Sequence, residues 1–214
     1  DSIYFITMEY VFGFIAIGVI TGLAVMSPGP DFAIVAKNAL THTRRAGLMT
    51  TVGVLMGMIV HFTYLILGIG VIISQSIILF SVIKYLGALY LIYLGVLMLR
   101  SKGNSLTLEK GQAVPVSDVE SFRDGFITNV LNPKATLFFL ALFTQVIDPG
   151  TALTIQSAYA LEILLIAGVW FSFLSYILTT SLVSGFVGKQ IKWIARAMGA
   201  VLVALGVKVA LSSN

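Results

Sequence analysis

Two short proline motifs interrupt a chain that is otherwise almost continuously apolar: Ser27-Pro28-Gly29-Pro30-Asp31 and Asn132-Pro133-Lys134. Each sets an ionisable side chain beside a proline within a hydrophobic stretch. Proline removes a backbone donor and clashes with the preceding helical turn, so Pro28 and Pro30 are expected to break one helix and Pro133 another. Gly29 frees the backbone within the first break. A new half-helix can begin at Pro30 and another at Pro133, since proline suits the first helical position, and Asn132 is a good N-cap. Such ends carry N–H groups without helical partners and the positive pole of the helix dipole, and they bind carboxylates. Asp31 can take an amino group or a proton, and Lys134 a carboxylate. The blander reading is that both breaks only shape a bundle and that Asp31 and Lys134 form a structural ion pair.

A charge at the centre of a bilayer costs about 2.5–3.5 kcal/mol even on a lenient scale, so both residues must be paired, hydrated or functional. His61, in the middle of another apolar run, could relay protons or simply pack. Glu162 is expected near the outer end of its segment, where interfacial solvation accounts for it. His42 reads as a loop residue, and Trp170 and Trp193 as interfacial anchors or packing groups.

The elements that must position these residues are membrane helices. Of 214 residues, 58% are hydrophobic and 10% charged, and the mean hydropathy is +1.00. A soluble domain carries about 25% charged residues and could not cover this much apolar surface. The expectation is an all-α membrane protein: one transmembrane domain over 1–214 with about six helices, at 10–40, 48–72, 77–99, 122–147, 153–183 and 193–211. Each approaches or exceeds the roughly 20 apolar residues that a crossing needs. Ten of the 13 basic residues fall in the connections after helices 1, 3 and 5: Lys37, Arg44, Arg45, Arg100, Lys102, Lys110, Arg123, Lys189, Lys192 and Arg196. Basic loops face the cytoplasm, which predicts both termini outside and a cytoplasmic linker over about 101–121.

The linker separates two halves, repeat one (about 10–100) and repeat two (about 122–211). The first helix of each half is broken by proline, and each half ends on a similar pattern, Gly87-Ala88 with Leu94-Gly95 and Gly199-Ala200 with Leu205-Gly206. Three helices per half is an odd number, so the second half crosses in the opposite sense. Two inverted three-helix repeats with broken helices 1 and 4 form the design of secondary transporters, whose site lies between the broken helices.

Several classes are excluded. The chain has no cysteine, so disulfides, thiol catalysis and Cys-held metals are absent. Its two histidines make no His-Glu-x-x-His motif, and no P-loop is present, which argues against a metalloenzyme and a nucleotide-driven pump. No basic cluster interleaved with aromatics supports nucleic-acid binding. Residues 1–10 lack a basic n-region and are not expected to be a signal peptide.

Met26-Ser27-Pro28-Gly29-Pro30-Asp31-Phe32, Arg44-Arg45-Ala46-Gly47, Gly87-Ala88-Leu89-Tyr90-Leu91 with Leu94-Gly95, and Gly125-Phe126-Ile127-Thr128-Asn129-Val130-Leu131-Asn132-Pro133-Lys134-Ala135 resemble the lysine-exporter (LysE/RhtB-type) family of amino-acid exporters. The resemblance runs in order over nearly the whole chain. It implies a protein of the bacterial inner membrane that exports amino acids from the cytoplasm in exchange for protons, as a homodimer and without a cofactor. On it, Pro28, Gly29, Pro30 and Asp31 match one family motif, and Asn132, Pro133 and Lys134 the other; His61 is added from its position alone. Members carry basic, neutral or hydroxylated amino acids, which these motifs do not distinguish. Phe143-Thr144-Gln145 departs from the family pattern, where proline is common at the Thr144 position. An ion or metal exporter, or a channel of the same architecture, is the alternative.

Overall fold

The computed structural model describes residues 2–75, 77–100, 115–146 and 151–180, with 196, 199, 200, 202–204, 206, 207 and 210 in the last segment. Among the described residues there is no strand; the helices are α1 (Ser2–Met26), α2 (Pro30–Thr41), α3 (Arg44–Gln75), α4 (Ile77–Leu99), α5 (Asp118–Val130), α6 (Pro133–Val146) and α7 (Leu153–Leu178). Helices α1 and α2 are bent by 53° at their break, and α5 and α6 by 57° at theirs. Both bends fall at the predicted prolines. Helices α3 and α7 are each long and apolar enough to cross a membrane, so the described residues hold two spans, or up to four when each bent pair counts as one. The chain is an all-α membrane protein with broken first and fourth segments. Helix α4, of 23 residues, fills the expected third segment. The expected sixth segment, 193–211, lies mostly outside the described residues, as does most of the 101–121 linker.

Three helix starts come earlier than expected: α1 at Ser2, α3 at Arg44 and α5 at Asp118. Helix α5 begins at Asp118, earlier than hydropathy places it, because Ser117 and Glu120 form a capping box: the Ser117 hydroxyl accepts from Glu120 N at 3.1 Å, and the Glu120 carboxylate accepts from Ser117 N at 3.2 Å. Capping satisfies the free donors of the first turn whether or not that turn is apolar. The departure at Thr144 is also local: α6 runs on to Val146, and the Thr144 hydroxyl donates back to Leu140 O at 2.9 Å and Ala141 O at 3.0 Å.

The exterior is apolar as well as the core, and several polar side chains are buried. Leu67, Leu131 and Val169 are 65%, 73% and 71% exposed, whereas Asn38, Thr50, His61, Asn129 and Asn132 are buried. Lipid accepts the outward apolar face, while polar groups must find partners inside the bundle. The halves interlock rather than stand apart: α3 packs on α5 and α7, α2 on α5 and α7, α1 on α7, and α4 on α6. The closest approach is between α3 and α5. A Cβ on Gly53 would lie 2.0 Å from Phe122 O, and one on Gly125 would lie 2.1 Å from Thr50 O. Only glycine permits that contact, as is common where membrane helices pack backbone to backbone.

Candidate functional site

The two proline breaks meet. Gly29 caps α2 in an extended conformation (φ −172°, ψ −178°) without a side-chain cap, and Pro30 takes the first helical position. On the other break, the Asn132 side chain caps α6 by accepting from Lys134 N at 3.0 Å, and Asn132 O accepts from Thr136 N at 3.1 Å. Asp31 and Lys134 therefore occupy the same position, one residue after the leading proline of each half-helix. They also cross over reciprocally. Asn132 of the second break donates to the Asp31 carboxylate at 3.3 Å, and Lys134 donates to Pro28 O of the first at 3.3 Å. The expectation that both ends offer free N–H groups holds unevenly, because Asn132 occupies the Lys134 N–H of α6 while α2 has no such cap.

The Asp31 carboxylate is held on one oxygen. Oδ2 accepts from Asn129 Nδ2 at 3.0 Å and from Asn132, whereas Oδ1 is buried without a partner, as is Asn129 Oδ1. The Lys134 ammonium has one hydrogen bond among the described residues, to Pro28 O, leaving two of its three N–H donors. No ion pair joins Asp31 to Lys134; among the described residues the ion pair is Arg45–Asp118, at 2.6 Å on the surface. Opposite charges thus share the site without neutralising each other by contact. Gly29 makes the room for this arrangement, since a Cβ there would lie 3.0 Å from Lys134 Nζ.

His61 stands behind the site. Its Nε2 is 3.0 Å from Asn129 O, and its Nδ1 is in hydrogen-bond contact with the Tyr64 hydroxyl. A carbonyl only accepts, so Nε2 carries the hydrogen. The histidine reaches Asp31 only through Asn129. Thr21, Asp31, Met58, Asn132, Lys134 and Phe171 are among the residues around a cavity of about 60 Å³. At roughly 10–15 Å³ per water, it has room for a few waters or a small polar molecule.

Asn129 was not among the residues singled out from the sequence, although it is the direct partner of Asp31. Its signals were a polar side chain one helical turn before Asn132 and its place in the Gly125–Ala135 stretch that carries the family resemblance. Glu162, in the N-terminal half of α7, has its Oε1 2.9 Å from where a Gly18 Cβ would be and its Oε2 buried without a partner. No group of three His, Cys, Asp or Glu that could hold a metal occurs among the described residues.

Comparison with known proteins gives a consistent picture. The model of the LysE-type translocator family matches residues 23–213. The chain is 35% identical to the uncharacterized membrane protein YrhP of Bacillus subtilis (strain 168), covering 90% of this chain and 96% of that one. It is 27% identical to the threonine efflux protein of Escherichia coli (strain K12), over 93% and 98% of the two chains. It is 32% identical to the leucine efflux protein of Salmonella choleraesuis (strain SC-B67), over 78% and 79%. No solved structure matches significantly.

Proposed function

The chain belongs to the family of LysE-type translocators, and from that premise we propose that it is a secondary exporter of small amino acids from the bacterial cytoplasm. The family is one of translocators, not of enzymes. The names of the threonine and leucine efflux relatives support an amino-acid cargo. The site chemistry agrees. A free amino acid is a zwitterion, so burying it requires a partner for each charge. Asp31 offers the unpartnered Oδ1 to the amino group. Lys134 and the uncapped N-terminus of α2 offer donors to the carboxylate. The observation that carries this reading is the pair of opposite charges on one small cavity, held apart from each other by the two proline breaks.

In this reading Pro28, Gly29, Pro30 and Asp31 form one side of the substrate site and Asn132, Pro133 and Lys134 the other. His61 acts by holding Asn129, and through it the Asp31 carboxylate. Export runs against proton entry, and Asp31 is the group that exchanges a proton for the substrate's amino group. The protein lies in the inner membrane as a homodimer, with both termini outside. Counterflow in proteoliposomes against a panel of labelled amino acids tests the assignment. Saturable exchange of one or more small neutral or hydroxylated amino acids is expected. Competition by inorganic ions alone would replace amino-acid export with ion export.

A further inference from the structure

The cavity lies on one side of the breaks. Its walls come from the α1 residues leading into the first break and the α6 residues leading out of the second, with Met58 and Phe171. Helices α2 and α5 run from the breaks towards the linker side. Helix α2 contributes to the cavity only with its first turn, and α5 contributes no residue. On the linker side the space is closed by α2, α3 and α5 packed together.

That closure has two unequal parts. Helices α3 and α5 meet backbone to backbone at Gly53 and Gly125, contacts that allow no sliding without collision, so they form one rigid pair. Helix α2 is tied to that pair by side chains. One tie is Asp31, at the site itself. The other is Asn38, two turns nearer the linker and fully buried, whose Nδ2 donates to Thr50 Oγ1 on α3 at 2.9 Å and to Asp124 Oδ2 on α5 at 3.4 Å. The Thr50 hydroxyl already donates to Ala46 O at 2.8 Å, so it can only accept from Asn38. One amide nitrogen therefore serves two acceptors on two helices, while Asn38 Oδ1 is buried with no partner. The non-helical Ser27–Gly29 segment, extended at Gly29, gives α2 a hinge at its other end.

We propose that Asn38 is the latch of the linker-side gate: α2 swings on the Ser27–Gly29 hinge against the rigid α3–α5 pair, and the Asn38–Thr50–Asp124 contact holds it shut. The structure is then the state closed to the cytoplasm, with its cavity reached from the opposite face. This deepens the exporter reading and rests on it. Substrate takes the free Oδ1 of Asp31 and leaves Oδ2 on Asn129 and Asn132, so Asn38 is the polar side-chain tie on the linker side of the bound substrate. Hinged closure around a central site is a known mode of alternating access.

Side-specific thiol labelling tests the latch without relying on transport, and the absence of native cysteine gives a clean background. Ala135, which lines the cavity, is changed to Cys, and membrane-impermeant methanethiosulfonate is applied to either face of oriented vesicles. The parent should label from the face opposite the linker and only slowly from the linker face. Asn38→Ala should raise linker-face labelling about 3–10-fold, the population shift worth one or two net hydrogen bonds. Asp124→Asn, which keeps an acceptor for Asn38, should stay near the parent. Equal labelling of the parent from both faces, or an Asn38→Ala rate unchanged at the linker face, overturns the proposal. If Asn38→Ala loses labelling from both faces it has misfolded, and Asp124→Ala, which cuts the same tie from the other side, decides by the same criterion. Failure of counterflow with normal gating would count against amino-acid export and not against the latch.

Discussion

Asp31 and Lys134 are matched in position and opposite in charge, and neither is neutralised by the other. A structural ion pair would put them in contact; instead each is held by the opposite break, Asp31 by Asn132 and Lys134 by Pro28 O. Asp31→Asn and Lys134→Ala are each expected to abolish net export, measured as efflux from loaded cells, while membrane insertion stays normal. If Asp31 carries the coupling proton, Asp31→Asn should retain substrate exchange in the absence of a proton gradient. Near-normal efflux from both variants would reduce the pair to structural roles. The carboxylate assignment has its own check. Amino-acid esters and amides should compete with the free acid more weakly by about 1–3 kcal/mol, the cost of losing a charge-assisted hydrogen bond. Esters that compete equally would remove Lys134 and the α2 terminus from the substrate site.

At the scale of elements, the glycine crossing of α3 and α5 predicts a sharp contrast. Gly53→Ala or Gly125→Ala drives a methyl into a carbonyl oxygen and should destabilise by about 1–3 kcal/mol or more, as overpacking does, lowering the melting temperature in detergent. Gly22→Ala on α1 meets nothing within 4 Å and should be neutral or slightly stabilising. A Gly53→Ala protein as stable as Gly22→Ala would mean that α3 and α5 do not pack as described. The same contrast shows what a sequence can reveal. The breaks at Pro30 and Pro133 were legible because proline acts on its own backbone, wherever the helix ends up. The roles of Gly53, Gly125, Asn38 and Asn129 were not, because each depends on which residue of another helix lies opposite. Hydropathy likewise missed the first turn of α5, where the Ser117–Glu120 capping box replaces apolar burial as the reason for helix.

For the whole molecule, the ten basic residues on one set of connections predict orientation. Periplasmic reporters fused to either terminus should be active, and tags within 101–121 should be reached only from the cytoplasm. Cytoplasmic activity at both termini would reverse the assigned faces. The interlocking of the two halves bears on how such a protein is made. Helices α1–α4 leave the ribosome first, yet their tightest surfaces are shaped for α5, α6 and α7. The Gly53 face of α3 has no partner until α5 is synthesised, and until then the Asn38 amide has only Thr50 of its two acceptors. Residues 1–100 expressed alone should therefore insert but remain sensitive to membrane proteases. Supplying 115–214 on a second message should protect them, because the missing contacts lie between the halves and not along the connecting chain. Pulse-chase half-lives of the first fragment, with and without the second, measure this directly, and a fragment equally long-lived alone would show that biogenesis does not wait for the second half.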